Sequence, residues 1–122
     1  MKVLIIDDDA GNRRLAVRML ARRPQVEVLE ADGGLAGLAI GEAHNVDIVL
    51  LDISMLDMDG VEVCARLRAM PAYAATPIIA CTAHAGTRDH EKFLRQGFTS
   101  VLTKPFLLDE LYRVIGIDAT AS

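Results

Sequence analysis

Short apolar runs alternate with amphipathic segments along the whole chain. The runs of strand length are Val3 to Asp7, Val26 to Glu30, Val46 to Asp52, Pro77 to Cys81 and Ser100 to Leu102. The segments with helical patterning are about Ala10 to Arg23, Gly34 to Ala43, Val61 to Met70, Arg88 to Gln96 and Leu108 to Ile115. This alternation with short connections predicts an α/β fold, a five-stranded parallel sheet with helices on both faces.

The first helix illustrates the pattern. Leu15, Met19 and Leu20 are expected on one apolar face, and Asp9 is the predicted N-cap. A chain of 122 residues with 52% apolar residues is long enough for one domain with a real core. We predict that this domain spans residues 1–118 and that residues 119–122 form a frayed tail.

Charge and hydropathy exclude several classes of function. The chain has 13 Lys and Arg against 17 Asp and Glu, without a basic stripe, so direct nucleic-acid binding is not expected. Its apolar runs are far shorter than a membrane span, and Met1 to Val3 leads into a strand instead of a signal peptide. A cytoplasmic protein is therefore expected. Cys64 and Cys81 lack metal-type spacing and are predicted to be core thiols.

Carboxylates follow two of the predicted strands. Asp7, Asp8 and Asp9 end the first apolar run, and Asp52 ends the third. The carboxyl ends of parallel strands meet at one edge of the sheet, where open α/β folds place their sites. Two carboxylates about 4 Å apart repel by roughly 4 kcal/mol at an effective dielectric of 20. Because Mg²⁺ binds such hard oxygen ligands and keeps open positions, these residues predict a magnesium site.

A hydroxyl and an ammonium group are predicted at the same edge. Thr82 follows the fourth strand and Lys104 follows the fifth. A metal held by acids, together with a hydroxyl and a lysine, suits the charge of a phosphoryl group. Aspartate is a known phosphoryl acceptor, and such transfers depend mainly on positioning and charge stabilisation. The sequence therefore predicts phosphoryl transfer.

Four spaced motifs resemble the receiver domain of bacterial two-component response regulators, and the match covers nearly all of the chain. They are Leu4-Ile5-Ile6-Asp7-Asp8-Asp9, Leu51-Asp52-Ile53-Ser54-Met55-Leu56-Asp57-Met58-Asp59-Gly60, Pro77-Ile78-Ile79-Ala80-Cys81-Thr82-Ala83 and Thr103-Lys104-Pro105-Phe106. Each motif alone would be weak, but all four occur in order at strand ends. The resemblance implies a flavodoxin-like, doubly wound (βα)₅ fold.

The resemblance also implies the phosphoacceptor and the metal ligands. In this family the phosphoacceptor is the aspartate that ends the third strand, which corresponds to Asp52. Mg²⁺ would be held by Asp8 directly, by Asp7 through water, by Asp52 and by the backbone carbonyl of Ser54.

Five further positions are carried over from the family. Thr82 would hydrogen-bond the phosphoryl group beside Ala83, and Lys104 would pair with it. The Lys104–Pro105 peptide would be cis, and Gly60 would anchor the loop after Asp52.

The chain departs from the family pattern at two positions. Family members usually carry proline after the methionine of the loop that follows the acceptor, whereas Met55 is followed here by Leu56. Val101 stands where many receivers have a tyrosine or phenylalanine that moves with the switch threonine. We expect a switch without that ring to act through the Ala83 to Thr87 loop, with Gly86 as a hinge.

Several residues keep two interpretations. Ser54, His84 and Val101 are possible modulators of the site, although His84 would also suit an ordinary surface position. Asp57 and Asp59 are expected to shape the loop and to cap the next helix.

The predicted function is a phosphoacceptor switch of a two-component or phosphorelay system. Its partners would be a histidine kinase or histidine phosphotransfer protein and a downstream protein target. Because the chain ends soon after the last helix, the signal is expected to pass by protein contact or by onward phosphate transfer.

Two alternatives remain at this point. A haloacid-dehalogenase-type phosphohydrolase would place its nucleophile in Asp7-Asp8-Asp9, but Gly11 and Asn12 do not supply the hydroxyl expected soon after. A degenerate receiver would act only as an interaction module.

Overall fold

The computed structural model describes residues 1–83 and 86–116. The strands are β1 (Lys2–Ile6), β2 (Glu27–Ala31), β3 (Ile48–Asp52), β4 (Ile78–Thr82) and β5 (Ser100–Thr103). The helices are α1 (Ala10–Ala21), α2 (Gly34–Ala43), α3 (Gly60–Arg68), α4 (Thr87–Arg95) and α5 (Leu108–Ile115). Strands and helices alternate as the hydrophobic pattern predicts.

The strands form one parallel sheet in the order β2-β1-β3-β4-β5. This is the flavodoxin-like order, in which the chain reverses direction across the sheet between β1 and β3. In such folds the crevice at the reversal point, outside the carboxyl ends of the strands, is the usual position of a site. The predicted fold class is confirmed.

The sheet separates two hydrophobic cores. One contains side chains of α1 and α5, and the other contains side chains of α2, α3 and the Phe93 ring of α4. Residues of each central strand alternate between them: Val49 and Leu51 of β3 belong to the second core, whereas Ile48 and Leu50 belong to the first. This alternation follows from the two-residue period of a strand and explains why the central strands are apolar throughout.

Aspartates start two of the helices. The side chain of Asp9 accepts a hydrogen bond from the Asn12 amide at the start of α1, as predicted. Asp59 accepts one from the Glu62 amide at the start of α3. Both carboxylates thereby satisfy backbone donors that have no partner within their helix.

The observed structure corrects three details. The side chain of Leu15 is 50% exposed, and the buried positions of α1 are Ala16 and Leu20, so the apolar face was wrongly centred. β3 begins at Ile48, two residues later than predicted, although Val46 is still buried. The loop between the third helix and the fourth strand contains a short 3₁₀ helix at Pro71–Tyr73, in which Pro71 occupies the first turn as its fixed φ allows.

Some expectations fall on residues that the structure does not describe. His84 lies outside the described residues, as does part of the predicted switch loop of residues 83–87. The predicted domain boundary at residue 118 and the predicted tail of residues 119–122 lie outside them as well. Within the described ranges, none of the helices has the length and apolar character that a membrane crossing requires.

Gly60 allows the chain to fold back onto the end of β3. Its amide donates to the Ile53 carbonyl oxygen at 2.8 Å. A Cβ atom at this position would lie 2.5 Å from the Asp52 carbonyl oxygen and 2.9 Å from the Ile53 Cα atom. Both neighbours are backbone atoms, one in the last residue of β3 and one in the residue that follows it, so they cannot move aside cheaply.

We therefore expect Gly60→Ala to lower the free energy of unfolding by about 1–3 kcal/mol, the usual cost of overpacking. Urea denaturation followed by circular dichroism would measure it. The control is Gly11→Ala on the exposed side of α1, where the new Cβ would approach an Asp9 side-chain oxygen at 3.2 Å. That variant should stay within about 1 kcal/mol of the wild type. Equal stability of the two variants would contradict the argument.

Candidate functional site

The register of the sheet brings two carboxylates side by side. Ile6 of β1 pairs with Leu51 of β3, so the next residues, Asp7 and Asp52, emerge together at the carboxyl edge. Asp8 lies beside them, and one oxygen from each of the three carboxylates lies within 4.8 Å of the others. Asp7 and Asp52 are buried, which strengthens their mutual repulsion. The predicted convergence of these acids is observed.

Lys104 supplies the compensating charge. Its ammonium nitrogen lies 3.1 Å from Asp7 Oδ2 and 3.0 Å from Asp52 Oδ1. The backbone also holds the residue in place, since the Lys104 amide donates to the Thr82 carbonyl oxygen at 2.8 Å. The following peptide bond, Lys104–Pro105, is cis, as the resemblance implies. The lysine thus bridges the ends of β1 and β3 from the end of β5.

The electrostatics of the site follow from burial and from these contacts. Burial raises the pKa of the Asp52 carboxyl above its ordinary value; the Lys104 bond and charge oppose this, and the charges of Asp7 and Asp8 add to it. For Lys104, burial works to lower the pKa, but the bonds and charges of Asp52 and Asp7 outweigh it and raise the pKa. The ammonium is therefore charged at neutral pH. The raised pKa of Asp52 means that its surroundings favour added positive charge.

An open cavity of about 390 Å³ extends from this site toward α1. Asp7, Asp52, Ala83 and Lys104 are among the residues that line it. Thr82 is buried at the end of β4, where it pairs with Thr103, the residue before Lys104. The hydroxyl residue, the lysine and the acids therefore share one edge of the sheet, as the sequence predicts.

A second groove lies beside Asp8. Asp8, Asp9 and Ser54 are among the residues that line it. Asp9 uses a carboxylate oxygen to cap α1, so Asp7, Asp8 and Asp52 are the better candidates for a metal site. Three carboxylates with oxygens this close match the hard oxygen ligands that Mg²⁺ requires. The residues present therefore fit the ion that the sequence predicts.

The loop of residues 53–59, here the β3–α3 loop, makes two contacts that sequence reasoning missed. The Leu56 amide donates to Asp8 Oδ2 at 2.8 Å. The Asp57 carboxylate accepts from the amides of Gly34 at 3.0 Å and Leu35 at 3.1 Å, at the start of α2. The Gly34 bond, followed by the Leu35 bond, lowers the pKa of Asp57. Asp57 and Asp59 were both expected to cap the next helix. Asp59 caps α3 as predicted, but for Asp57 the prediction is wrong, because its carboxylate binds the start of the preceding helix, α2.

One signal in the sequence points to this second contact. The N-cap of α2 is Gly33, which has no side chain to accept a bond from the first helical amides. Amides at a helix start need acceptors, so a helix beginning with Gly33-Gly34 needs a capping group from elsewhere in the chain. The sequence does not identify that group.

The remaining candidates are less informative. Val101 is half-buried in β5 opposite Ala80 and packs against the core formed by α2, α3 and α4. Cys64 and Cys81 are both buried free thiols, as predicted. Burial raises the pKa of Cys81 to about 12, so this thiol stays protonated beside the acids.

Comparison with known proteins gives the family. Residues 3–116 match the family model described as the response regulator receiver domain. The chain is 33% identical over 115 residues to the signal transduction histidine-protein kinase BarA of Escherichia coli, covering 94% of this chain and 12% of BarA. It is 37% identical over 105 residues to the transcriptional regulatory protein ResD of Bacillus subtilis, covering 86% of this chain and 42% of ResD. The chain thus spans less than half the length of either relative.

The fold has solved counterparts. The chemotaxis response regulator CheY4 of Vibrio cholerae superposes with a TM-score of 0.88 at 28% sequence identity, over 94% of this chain and 95% of that one. A Francisella response regulator receiver domain superposes with a TM-score of 0.84 at 30% identity, over 93% of each chain. The match in sequence, fold and motif order shows that this chain belongs to the response regulator receiver domain family.

Proposed function

We propose that this receiver domain is a phosphoacceptor switch that takes a phosphoryl group onto Asp52 from a phosphohistidine donor. Receiver domains are signalling modules of two-component systems and not conventional enzymes. The observation that carries the proposal is the arrangement at Asp52, which contacts the Lys104 ammonium at 3.0 Å and lies beside Asp7 and Asp8. A carboxylate held beside an ammonium group supports a nucleophilic role for Asp52.

The reaction needs no redox partner, and it balances when the donor ring carries one proton, so that it leaves as neutral imidazole. An Asp52 carboxylate oxygen forms a bond to phosphorus while the phosphorus–nitrogen bond of the donor breaks, and the electron pair leaves with the imidazole. The product is an acyl phosphate. Hydrolysis would restore the carboxylate and release inorganic phosphate when water attacks the phosphorus. Transfers of this kind depend chiefly on positioning and charge stabilisation, which are what this site supplies.

Bound Mg²⁺, held by Asp7, Asp8, Asp52 and the Ser54 carbonyl, would neutralise negative charge on the incoming phosphoryl oxygens. The protein's own groups have distinct tasks. Lys104 already lies at Asp52, and its raised pKa keeps it charged, so it is placed to pair with a phosphoryl oxygen. Thr82 pairs in the sheet with Thr103, the residue before Lys104. Its hydroxyl would donate a hydrogen bond to another phosphoryl oxygen.

Phosphorylation would change partner affinity through this edge. A phosphoryl group brings a charge of about −2 and strong acceptor oxygens, which disturb the present Lys104 bridge and create new bonds to Thr82 and Ala83. The similar proteins include a histidine-protein kinase, a transcriptional regulatory protein and a chemotaxis response regulator. We infer a histidine kinase or histidine phosphotransfer protein as donor and a protein as downstream target, in the cytoplasm.

The phosphohydrolase alternative is less compatible with the geometry. It needs the second aspartate of its motif, supplied here by Asp9, as an acid at the substrate. The Asp9 carboxylate instead accepts the Asn12 amide at 2.9 Å as the N-cap of α1. This contact supports Asp52, in preference to the Asp7-to-Asp9 segment, as the proposed nucleophile.

The first experiment measures intact mass after incubation with Mg²⁺ and acetyl phosphate. We expect a single phosphoryl adduct on the wild type, and none on Asp52→Asn or in the presence of a chelator. Asp59→Asn is the matched control, because asparagine also caps helices well and the residue lies outside the acidic cluster. An adduct that survives in Asp52→Asn but is lost in Asp7→Asn would favour the phosphohydrolase. No adduct with either acetyl phosphate or a phosphohistidine protein would leave only the interaction module.

A second prediction concerns stability. The charge of Asp8 adds to the repulsion that Asp52 experiences, as its effect on the Asp52 pKa shows. We expect Asp8→Asn to raise the free energy of unfolding at pH 7 without divalent ions, by on the order of 1 kcal/mol. Mg²⁺ should raise the unfolding midpoint of the wild type and should do so much less in the variant, because only a bound ion stabilises the folded state.

The pH dependence has a definite sign. Because the Asp52 pKa is raised on folding, its protonated form favours the folded state, and this contribution is lost as pH rises through the raised pKa. The advantage of Asp8→Asn should therefore shrink as pH falls into the range where the carboxyls bind protons. Glu91→Gln, which removes an exposed carboxylate on α4, is the control and should change neither quantity. Urea denaturation at several pH values, with and without Mg²⁺, measures both effects.

A further inference from the structure

We propose that the backbone amide of Leu56 is a positioning group for the metal-binding carboxylate of Asp8, so that this residue sets Mg²⁺ affinity through its main chain. The inference rests on the proposed magnesium site. It adds a determinant outside the ligand set, on the β3–α3 loop.

The contact involves the main chain alone. The Leu56 amide nitrogen lies 2.8 Å from Asp8 Oδ2, a distance typical of a strong bond to a charged acceptor. The side chain of Leu56 is 99% exposed, so it makes almost no contact with the rest of the protein. Any effect of this residue on the site must therefore pass through its N–H group.

The amide is held in place from the other side of the loop. Asp57, the next residue, bonds to the amides of Gly34 and Leu35 at the start of α2. The loop also packs closely against α2 at Met58, since a Cβ atom added to Gly34 would lie only 2.9 Å from Met58 Cβ. Val63 of α3 is equally close, with Cγ2 at 2.8 Å from such an atom. At its far end the loop closes through the bond from Gly60 to Ile53. The donor thus has a fixed position before any ion binds.

The fixed Leu56 amide holds the Asp8 carboxylate in one orientation. Lys104 bonds to Asp7 and Asp52 and offsets their charge. The Leu56 amide stabilises the Asp8 carboxylate by donating a hydrogen bond to Oδ2. A carboxylate has two oxygens, so anchoring Oδ2 leaves the other free to bind an ion. Without the anchor, Asp8 would have to be ordered against repulsion from its neighbours when the ion binds. Loss of the bond should therefore weaken Mg²⁺ binding.

Only proline removes a backbone donor while leaving the chain otherwise continuous. We expect Leu56→Pro to raise the Mg²⁺ dissociation constant about 10-fold, the lower end of effects seen when partners of metal ligands are removed. The matched control is Leu56→Ala, which keeps the amide and deletes the exposed side chain. Its dissociation constant should stay within about twofold of the wild type.

Isothermal titration calorimetry of the unphosphorylated protein with MgCl₂ measures these constants directly, and urea denaturation of each variant reports folding. A second variant, Asp57→Ala, releases the loop from α2 without altering the Leu56 backbone and should also weaken binding. It decides the matter if Leu56→Pro does not fold. The inference is overturned if Leu56→Pro folds and binds like Leu56→Ala, or if Asp57→Ala binds like the wild type when the proline variant is unfolded.

The same titration separates this inference from the proposed function. If the wild type binds no Mg²⁺, the magnesium site and the role of Leu56 fail together. If the wild type binds and accepts phosphate on Asp52 while Leu56→Pro binds equally well, only the role of Leu56 fails.

Discussion

The bridge from Lys104 to Asp7 and Asp52 is the interaction on which the site depends. The strand order makes β1 and β3 neighbours, and their register places two buried carboxylates side by side. Such a pair is unfavourable in a folded protein unless a cation compensates it. The ammonium does so from β5, two strands away from β3 in the sheet. It ties three strand ends together at the point where the proposed chemistry takes place.

This arrangement connects stability with function. The third acid, Asp8, adds charge to an edge where Lys104 bonds to the other two. Burial raises the pKa of Asp52, and the charges of Asp7 and Asp8 add to this effect. Sites that bind ions and phosphate commonly lower the stability of the empty protein in this way. In the proposed cycle, Mg²⁺ would reduce the repulsion among the three carboxylates, and the phosphoryl group would change which groups Lys104 contacts. The repulsion among Asp7, Asp8 and Asp52 in the ligand-free protein therefore contributes to the free-energy difference between the ligand-free and ligand-bound states.

The sequence predicts the acid site well because its members stand at strand ends. Asp7, Asp52 and Lys104 each follow an apolar run, and parallel strands bring such ends to one edge regardless of loop details. The contacts of Leu56 and Asp57 could not be predicted, since hydrophobic periodicity says nothing about which amide a loop residue meets. The exposure of Leu15 was also missed, because the choice of the inward face of α1 depends on its rotation against the sheet. The cis Lys104–Pro105 bond came only from the family resemblance.

The division of the molecule into two cores bears on how such a domain can evolve. β3 supplies Val49 and Leu51 to one core and Ile48 and Leu50 to the other, and it ends in Asp52. A one-residue insertion or deletion within this strand would shift its side chains to the opposite faces and damage both cores at once. Such a change would be eliminated as a folding defect before any signalling consequence arose. The location of Asp52, the proposed acceptor, is thus protected by selection for folding, while the loops and outer helix surfaces remain free to diverge.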